Sequence, residues 1–173
     1  MCMVVRAGEA SPLLTEHPVY GKIDLIGDVV VCDIDGTISN LDHRLHYVKG
    51  KKKDFDSFFH FMDTDKLRQD VYSTLLKAED EGMTIIFVSA RPENYRHVTE
   101  VWLKENVKLR SPLVVLLRPI KDTRPDIEVK KQIYEKYLSK LSIKYVIDDR
   151  PRVLRMWREL GLNTVDVGSG VEF

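Results

Sequence analysis

Val29–Cys32 is one unbroken apolar run, largely β-branched, and predicts a strand over Val29–Asp33 covered on both faces. Met83–Val88, Leu113–Leu117 and Tyr145–Ile147 repeat it, and Thr164–Val167 predicts a last strand. Between these runs the pattern switches to a helical period. Lys66–Glu81 places Leu67, Val71, Leu75 and Ala78 on one face, with Gly82 as a C-terminal stop. Pro92 fits the first position of a helix presenting Tyr95, Val98, Val101 and Trp102. A third helix begins near Asp126 and carries Ile133, Tyr134, Tyr137, Leu138 and Leu141. Pro151 opens a fourth, with Val153, Leu154, Trp157 and Leu160 on its apolar face and Gly161 at its close.

Strands alternating with helices predict an α/β fold with a parallel sheet, joined by right-handed crossovers and flanked by helices. The alternation fails in two places. Met1–Gly27, with Gly8, Pro12, Pro18, Gly21 and Gly27, has little periodicity and reads as an irregular leader that packs over the domain or stays mobile. Ser39 to about Thr64 is polar, then basic, then aromatic, and reads as a small helical cap inserted above the end of the first strand. Phe55, Phe58, Phe59 and Phe61 are read mainly as cap core, with a minor chance that one stacks on a base. Lys49–Lys53 is read first as a solvated loop and second as a contact to a nucleic-acid backbone. The resulting organisation is a leader over 1–27 and one domain over 28–173, with the cap at about 39–64.

Composition changes this picture little. The 173 residues suffice for one domain, and Lys+Arg and Asp+Glu both number 27, so net charge neither predicts nor excludes an anionic partner. Cys2 and Cys32 do not make a disulfide framework, which fits a cytoplasmic protein. Met1–Ala10 holds no secretory apolar segment, and no run reaches membrane-spanning length. Oligomeric state is left open.

Chemistry enters at the strand ends. Asp33 and Asp35 close the first strand with one apolar residue between them, so strict alternation puts both on the same side. Ser89 and Arg91 follow the second strand, Arg118 the third, and Asp148–Asp149 the fourth. In open parallel sheets, ligands bind outside the carboxyl ends of the strands. Four carboxylates gathered there call for a hard divalent cation with oxygen ligands, and Mg²⁺ suits a site that also holds phosphate. His43, His46, His60 and His97 lack partners at zinc-ligand spacing. A carboxylate in such a site can attack phosphorus, and a second can move the proton. A hydroxyl and a lysine can hold the transferring oxygens.

In this order, Asp33-Ile34-Asp35-Gly36-Thr37, Ser89, Lys130 and Asp148-Asp149 resemble the four motifs of the haloacid dehalogenase (HAD) phosphatase superfamily. Val88–Glu93, Asp122–Asp126, Val129-Lys130, Ile147–Arg150 and Met156–Arg158 more closely resemble the 3′-phosphatase domain of phage polynucleotide kinase/phosphatase and related small phage and bacterial proteins. The resemblance implies a Rossmann-like HAD fold. It also implies that Asp33 is the nucleophile, Asp35 the general acid/base, and Ser89 and Lys130 the phosphoryl-binding pair. Mg²⁺ would be held by Asp33, the Asp35 backbone carbonyl and Asp148, with Asp149 in support. Thr37, Arg44, Arg91 and Asp126 map to further functional positions, and Arg118 and Arg124 are candidate phosphate or substrate contacts. The implied activity is hydrolysis of phosphate from nucleic-acid ends, chiefly 3′-phosphates. The alternatives are a nucleotidase or other small-metabolite phosphatase and, less favoured, a non-catalytic nucleic-acid-binding protein. No Gly-x-x-x-x-Gly-Lys-Ser/Thr occurs, so no ATP site is expected.

Overall fold

The computed structural model describes residues 17–21, 25, 27–170 and 172. In chain order, the strands are β1 (Val29–Cys32), β2 (Ser39–Asn40), β3 (Lys66–Leu67), β4 (Thr84–Pro92), β5 (Val114–Arg118), β6 (Ile143–Asp148) and β7 (Thr164–Asp166). The helices are α1 (Phe55–His60), α2 (Gln69–Asp80), α3 (Arg96–Asn106), α4 (Asp126–Ile133) and α5 (Pro151–Glu159). Five strands form one sheet in the order β5-β4-β1-β6-β7, and every neighbouring pair is parallel.

β1 lies in the middle, and its alternation explains its continuous apolar run. Val29 and Val31 join the core under α4 and α5 with Val129, Ile133, Val153 and Trp157. Val30 and Cys32 join the opposite core with Val71, Leu75, Trp102 and Leu103 of α2 and α3. A helical layer on each face leaves no polar side for β1, so the sequence shows no polar alternation there.

Several expected boundaries move. The helix expected from Lys66 begins at Gln69, because Lys66–Leu67 pairs antiparallel with Ser39–Asn40. That two-stranded ribbon is the base of the cap. Pro92 ends β4 instead of opening a helix, and a tight turn over Glu93–Tyr95 precedes α3. The buried face of α3 is Thr99, Trp102 and Leu103, whereas Val101 is exposed. Of the four cap phenylalanines only Phe58 is buried, packed with Leu41 and Val48; Phe59 is half-buried against that cluster, while Phe55 and Phe61 are exposed at 52% and 40%.

Part of the leader packs on the domain. His17 and Gly21 bridge a short turn, the His17 ring stacks on Tyr20 and meets Tyr137 at a tilt, and Leu25 enters the core. The Tyr20 hydroxyl accepts from Val115 N–H at 3.0 Å and from Arg96 Nη1 at 2.7 Å. Leader positions 1–16, 22–24 and 26, Cys2 and the Met1–Ala10 segment among them, lie outside the described residues. No helix among the described residues is long and apolar enough to cross a membrane.

Candidate active site

β1 stops at Cys32, one residue short of its predicted end, while the Asp33 N–H still donates to the Ile147 carbonyl at 3.0 Å. Beyond that point alternation no longer governs the chain. Gly36 turns it at φ 82°, where a left-handed backbone favours glycine. The two aspartates therefore do not share one environment, as strict alternation would have them do.

Asp33 faces the α4 side. Lys130 Nζ donates to Asp33 Oδ1 at 2.7 Å and to Asp148 Oδ2 at 2.8 Å. Thr37 Oγ1 lies 2.9 Å from Asp33 Oδ2 and 3.1 Å from Asp149 Oδ1, so two carboxylates share one hydroxyl proton. The backbone N–H groups of Asp149 and Arg150 point at Asp148 Oδ1, at 3.0 and 3.3 Å. The Trp157 indole N–H points at Asp148 Oδ2 at 3.4 Å, so this core tryptophan also touches the site. Burial pushes the Asp33 carboxyl well up, and Lys130 does not offset it against Asp148 and Asp149. Asp149 is raised by burial and by Asp148. Burial alone would lower Lys130, but Asp148 and Asp33 raise it and keep it charged.

Asp35 turns toward the cap. Arg91 donates through Nε to Asp35 Oδ2 at 2.8 Å and through Nη2 to Oδ1 at 2.9 Å, a bidentate fork. Arg44 Nη2 also donates to Asp35 Oδ1. Burial would raise Asp35, but Arg91 and Arg44 outweigh it and hold the carboxyl well below the usual carboxylate range. Both guanidinium groups are fully buried and need further acceptors. Asp65 supplies them: Arg44 Nε and Nη2 donate to it at 2.7 and 2.6 Å, and Arg91 Nη2 lies 3.5 Å away. His43 Nε2 sits 2.9 Å from the same carboxylate. The Phe58 ring lies 4.2 Å from the Arg44 guanidinium, and the Phe58 carbonyl accepts from Arg44 Nη1. Arg91 Nη1 donates to Thr99 Oγ1 at 3.2 Å.

Seven predicted residues thus meet around Asp33 and Asp35: Thr37, Arg44, Ser89, Arg91, Lys130, Asp148 and Asp149. Ser89 Oγ approaches Asp35 Oδ2 at 3.4 Å and accepts from the Arg91 N–H at 3.1 Å. Asp126 pairs with Arg150 beside the Asp148–Asp149 turn. Arg118 and Arg124 are used differently. Arg118 donates to the carbonyls of Ala90, Asp122 and Arg124, bracing its own loop. Arg124 forks onto Asp122 and reaches Gln132 at the surface.

Asp65 and Arg68 were not singled out by sequence. Asp65 is buried only because the cap closes over Arg44, a pairing across 21 residues with no local signal. Arg68 Nη1 donates to the Gly36 carbonyl at 2.9 Å and the Val167 carbonyl at 2.8 Å, tying the loop after β1 to the end of β7. Close approach also fixes Asp149. A Cβ on Gly36 would collide with the Asp149 carboxylate, and one on Gly168 with the Asp149 backbone.

The donor set fits a divalent cation. Oxygens of Asp33, Asp148 and Asp149 lie within 4.8 Å of one another, and all three residues are buried. Three carboxylates against one lysine leave an excess of two negative charges. The cap-side group of Asp35, Asp65, Arg44 and Arg91 balances to zero. The excess belongs to the Asp33 side, and the Asp35 side chain is not part of that cluster.

Residues 27–172 match the family of the polynucleotide kinase PNKP phosphatase domain. A protein of Autographa californica nuclear polyhedrosis virus, assigned as a bifunctional polynucleotide kinase/RNA ligase, is 31% identical over 138 residues. That match covers 79% of this chain and 18% of the viral protein. A chain in a structure of the Pnkp1/Rnl/Hen1 complex superposes with a TM-score of 0.70 at 31% identity, covering 84% of this chain and 47% of that one. A second structure, of the Pnkp1/Rnl/Hen1 RNA repair complex, gives 0.71 at 30%, covering 95% and 48%. The class C acid phosphatase of Bacillus anthracis shares the fold, with a TM-score of 0.57 at 15% identity over 83% of this chain and 68% of that one. The chain thus spans about half the length of the first two structures it matches and less than a fifth of the viral protein. With the site geometry, these matches make the chain a HAD-type phosphatase belonging to the PNKP phosphatase-domain family.

Proposed function

We propose that this chain hydrolyses terminal phosphates of nucleic acids, chiefly 3′-phosphates, with Mg²⁺ as cofactor and Asp33 as nucleophile. The observation that carries this reading is the division of labour between two aspartates two residues apart. Asp33 sits against a lysine in a pocket two positive charges short, and Asp35 sits in an arginine fork.

Asp33, Asp148 and Asp149, with the Asp35 backbone carbonyl, would hold Mg²⁺, which would supply the missing positive charge and polarise the phosphoryl oxygens. Lys130 orients Asp33 and neutralises charge on the transferring group. An Asp33 carboxylate oxygen forms a bond to phosphorus. The bond from phosphorus to the terminal nucleic-acid oxygen breaks, and that oxygen leaves with the electron pair and takes a proton from Asp35. Water then attacks the aspartyl-phosphate, giving its proton to Asp35. The bond to Asp33 breaks, its carboxylate is regenerated, and inorganic phosphate departs. With both guanidinium groups on it, Asp35 is ionised. Its acid role requires that the incoming phosphate, a competing acceptor, draw one of them away. Ser89 stands beside Asp35 to hold the same phosphoryl group.

The kinase/ligase and RNA-repair relatives point to nucleic-acid ends as the substrate class, and a reducing cytoplasm suits a domain whose buried Cys32 is free. A substrate panel tests the reading: 3′- and 5′-phosphorylated oligonucleotides, mononucleotides and an aryl phosphate, each with Mg²⁺ and with chelator. The expected result is release from 3′-phosphorylated oligonucleotides at the highest kcat/KM, loss of turnover in chelator, and recovery on adding Mg²⁺. Release from mononucleotides but not from oligonucleotides would replace this reading with that of a nucleotidase.

A further inference from the structure

The cap carries side chains that the phosphatase chemistry does not use. Phe55 opens α1 and is half exposed. Its ring stacks on Phe59, with centroids 6.3 Å apart and planes 23° apart. Phe59 in turn meets Tyr95 at 5.0 Å. Tyr95 belongs to the turn that directly follows β4, the strand that ends in Ser89 and Arg91. A row of three aromatic rings therefore runs from the turn after β4, across to the cap, and ends at the exposed start of α1.

The outer end of this row is basic. Lys49, Lys51, Lys52 and Lys53 are all exposed and lead directly into α1. Over residues 49–56 four lysines face two acids, Asp54 and Asp56, for an excess of two positive charges. Asp54 is also committed to the helix, because it caps α1 by accepting from the Ser57 N–H at 3.0 Å. The middle of the row is tied to the Asp35 group, since Phe58, which packs edge-on to Phe59, lies under Arg44, a partner of Asp35.

One exposed ring backed by two half-buried ones, beside a lysine run, suits a flexible polyanion with π-faces. A small phosphorylated metabolite offers no chain of phosphates to a run of four lysines, and such a rim disfavours a basic protein. We propose that Phe55, Phe59 and Tyr95, with Lys51–Lys53, form a platform for a single-stranded nucleic acid whose phosphorylated end is in the active site. The bases nearest the end stack along the rings, and the backbone beyond them passes over the lysines. This inference rests on the nucleic-acid reading given above and adds to it a requirement for several unpaired nucleotides next to the reacting phosphate.

Phe55 is the residue to test, because it is exposed and does not touch Arg44. The measured quantity is kcat/KM on a ten-nucleotide single-stranded 3′-phosphorylated oligonucleotide, divided by kcat/KM on an aryl phosphate. For Phe55→Ala this ratio falls about tenfold, through KM, as loss of one stacked base predicts, and Phe55→Trp restores it. Replacing Lys51, Lys52 and Lys53 by alanine flattens the dependence of log KM on log salt by about 2, the slope due to three single-strand phosphate contacts. A ratio unchanged in Phe55→Ala, with an unchanged salt slope in the triple variant, overturns the platform while leaving the phosphatase reading intact. A wild-type enzyme that cleaves the aryl phosphate but no oligonucleotide overturns both. A ratio that falls equally on a two-nucleotide substrate also overturns the platform, since so short a strand does not reach the rim.

Discussion

Asp33 and Asp35 are separated by one isoleucine and meet opposite surroundings. Asp33 is buried with two other carboxylates and one lysine, and its carboxyl is pushed up. A group whose folded pKa is raised while it remains charged subtracts from stability. Asp33→Asn is therefore expected to abolish turnover and, in chelator, to raise the unfolding midpoint by about 3 °C, the equivalent of about 1 kcal/mol for a domain of this size. A lower midpoint in chelator would mean that Lys130 depends on Asp33 more than the acids repel each other. Gly36 is the second residue-scale case. It occupies φ 82°, and a methyl there would collide with the Asp149 carboxylate. Gly36→Ala should raise the Mg²⁺ concentration for half-maximal activity at least about tenfold, the range found when groups supporting metal ligands are lost. An unchanged Mg²⁺ requirement would separate Asp149 from the metal.

At the scale of elements, the acids that hold helices and loops in place respond to pH. Glu79 of α2 accepts from the Arg110 N–H at 3.0 Å and from the Ser111 N–H at 2.8 Å, pinning the segment between α3 and β5. Burial alone would raise its carboxyl, but these donors and the Ser111 hydroxyl outweigh burial and lower it. A depressed carboxyl contributes stability above its unfolded value, about 4.3, and loses it as pH falls through the folded value. Glu79→Gln should cost about 1–2 kcal/mol at pH 7. The gap from wild type should narrow below about pH 4, as urea unfolding at both pH values would show. A gap independent of pH would contradict the account of Glu79. The same scale shows what was legible in the sequence. β1, β4, β5 and β6 were readable because helices cover both faces of the sheet and their runs are continuous. β2 and β3, two residues each, carry no period, and Leu67 fell in helical register with Val71 although it belongs to the ribbon. Of the four cap phenylalanines two pack inward and two are exposed, because so short an insert has too few buried positions for all four.

At the scale of the whole molecule, β1 sits between β4 and β6, so the chain leaves its carboxyl end at the place where the strand order reverses. That topology gathers Asp33, Ser89 and Asp148 from three strands. Their shared position after apolar runs is why the sequence disclosed them. Asp65 and Arg68 were hidden because their partners come from the closed cap and the end of β7, contacts that only the assembled fold creates. The charge distribution follows the same plan: a neutral arginine–aspartate group on the cap side and an acid excess on the α4 side.

The most direct test of this assignment is to trap the covalent enzyme. Acid quenching during turnover of an oligonucleotide carrying a labelled 3′-phosphate, followed by borohydride reduction and peptide mapping, identifies the residue that received the phosphoryl group. The account predicts labelled protein before reduction and homoserine at position 33 after it, with neither in Asp33→Asn. Phosphate release with no labelled enzyme under single-turnover conditions, or a label at any other position, would contradict it.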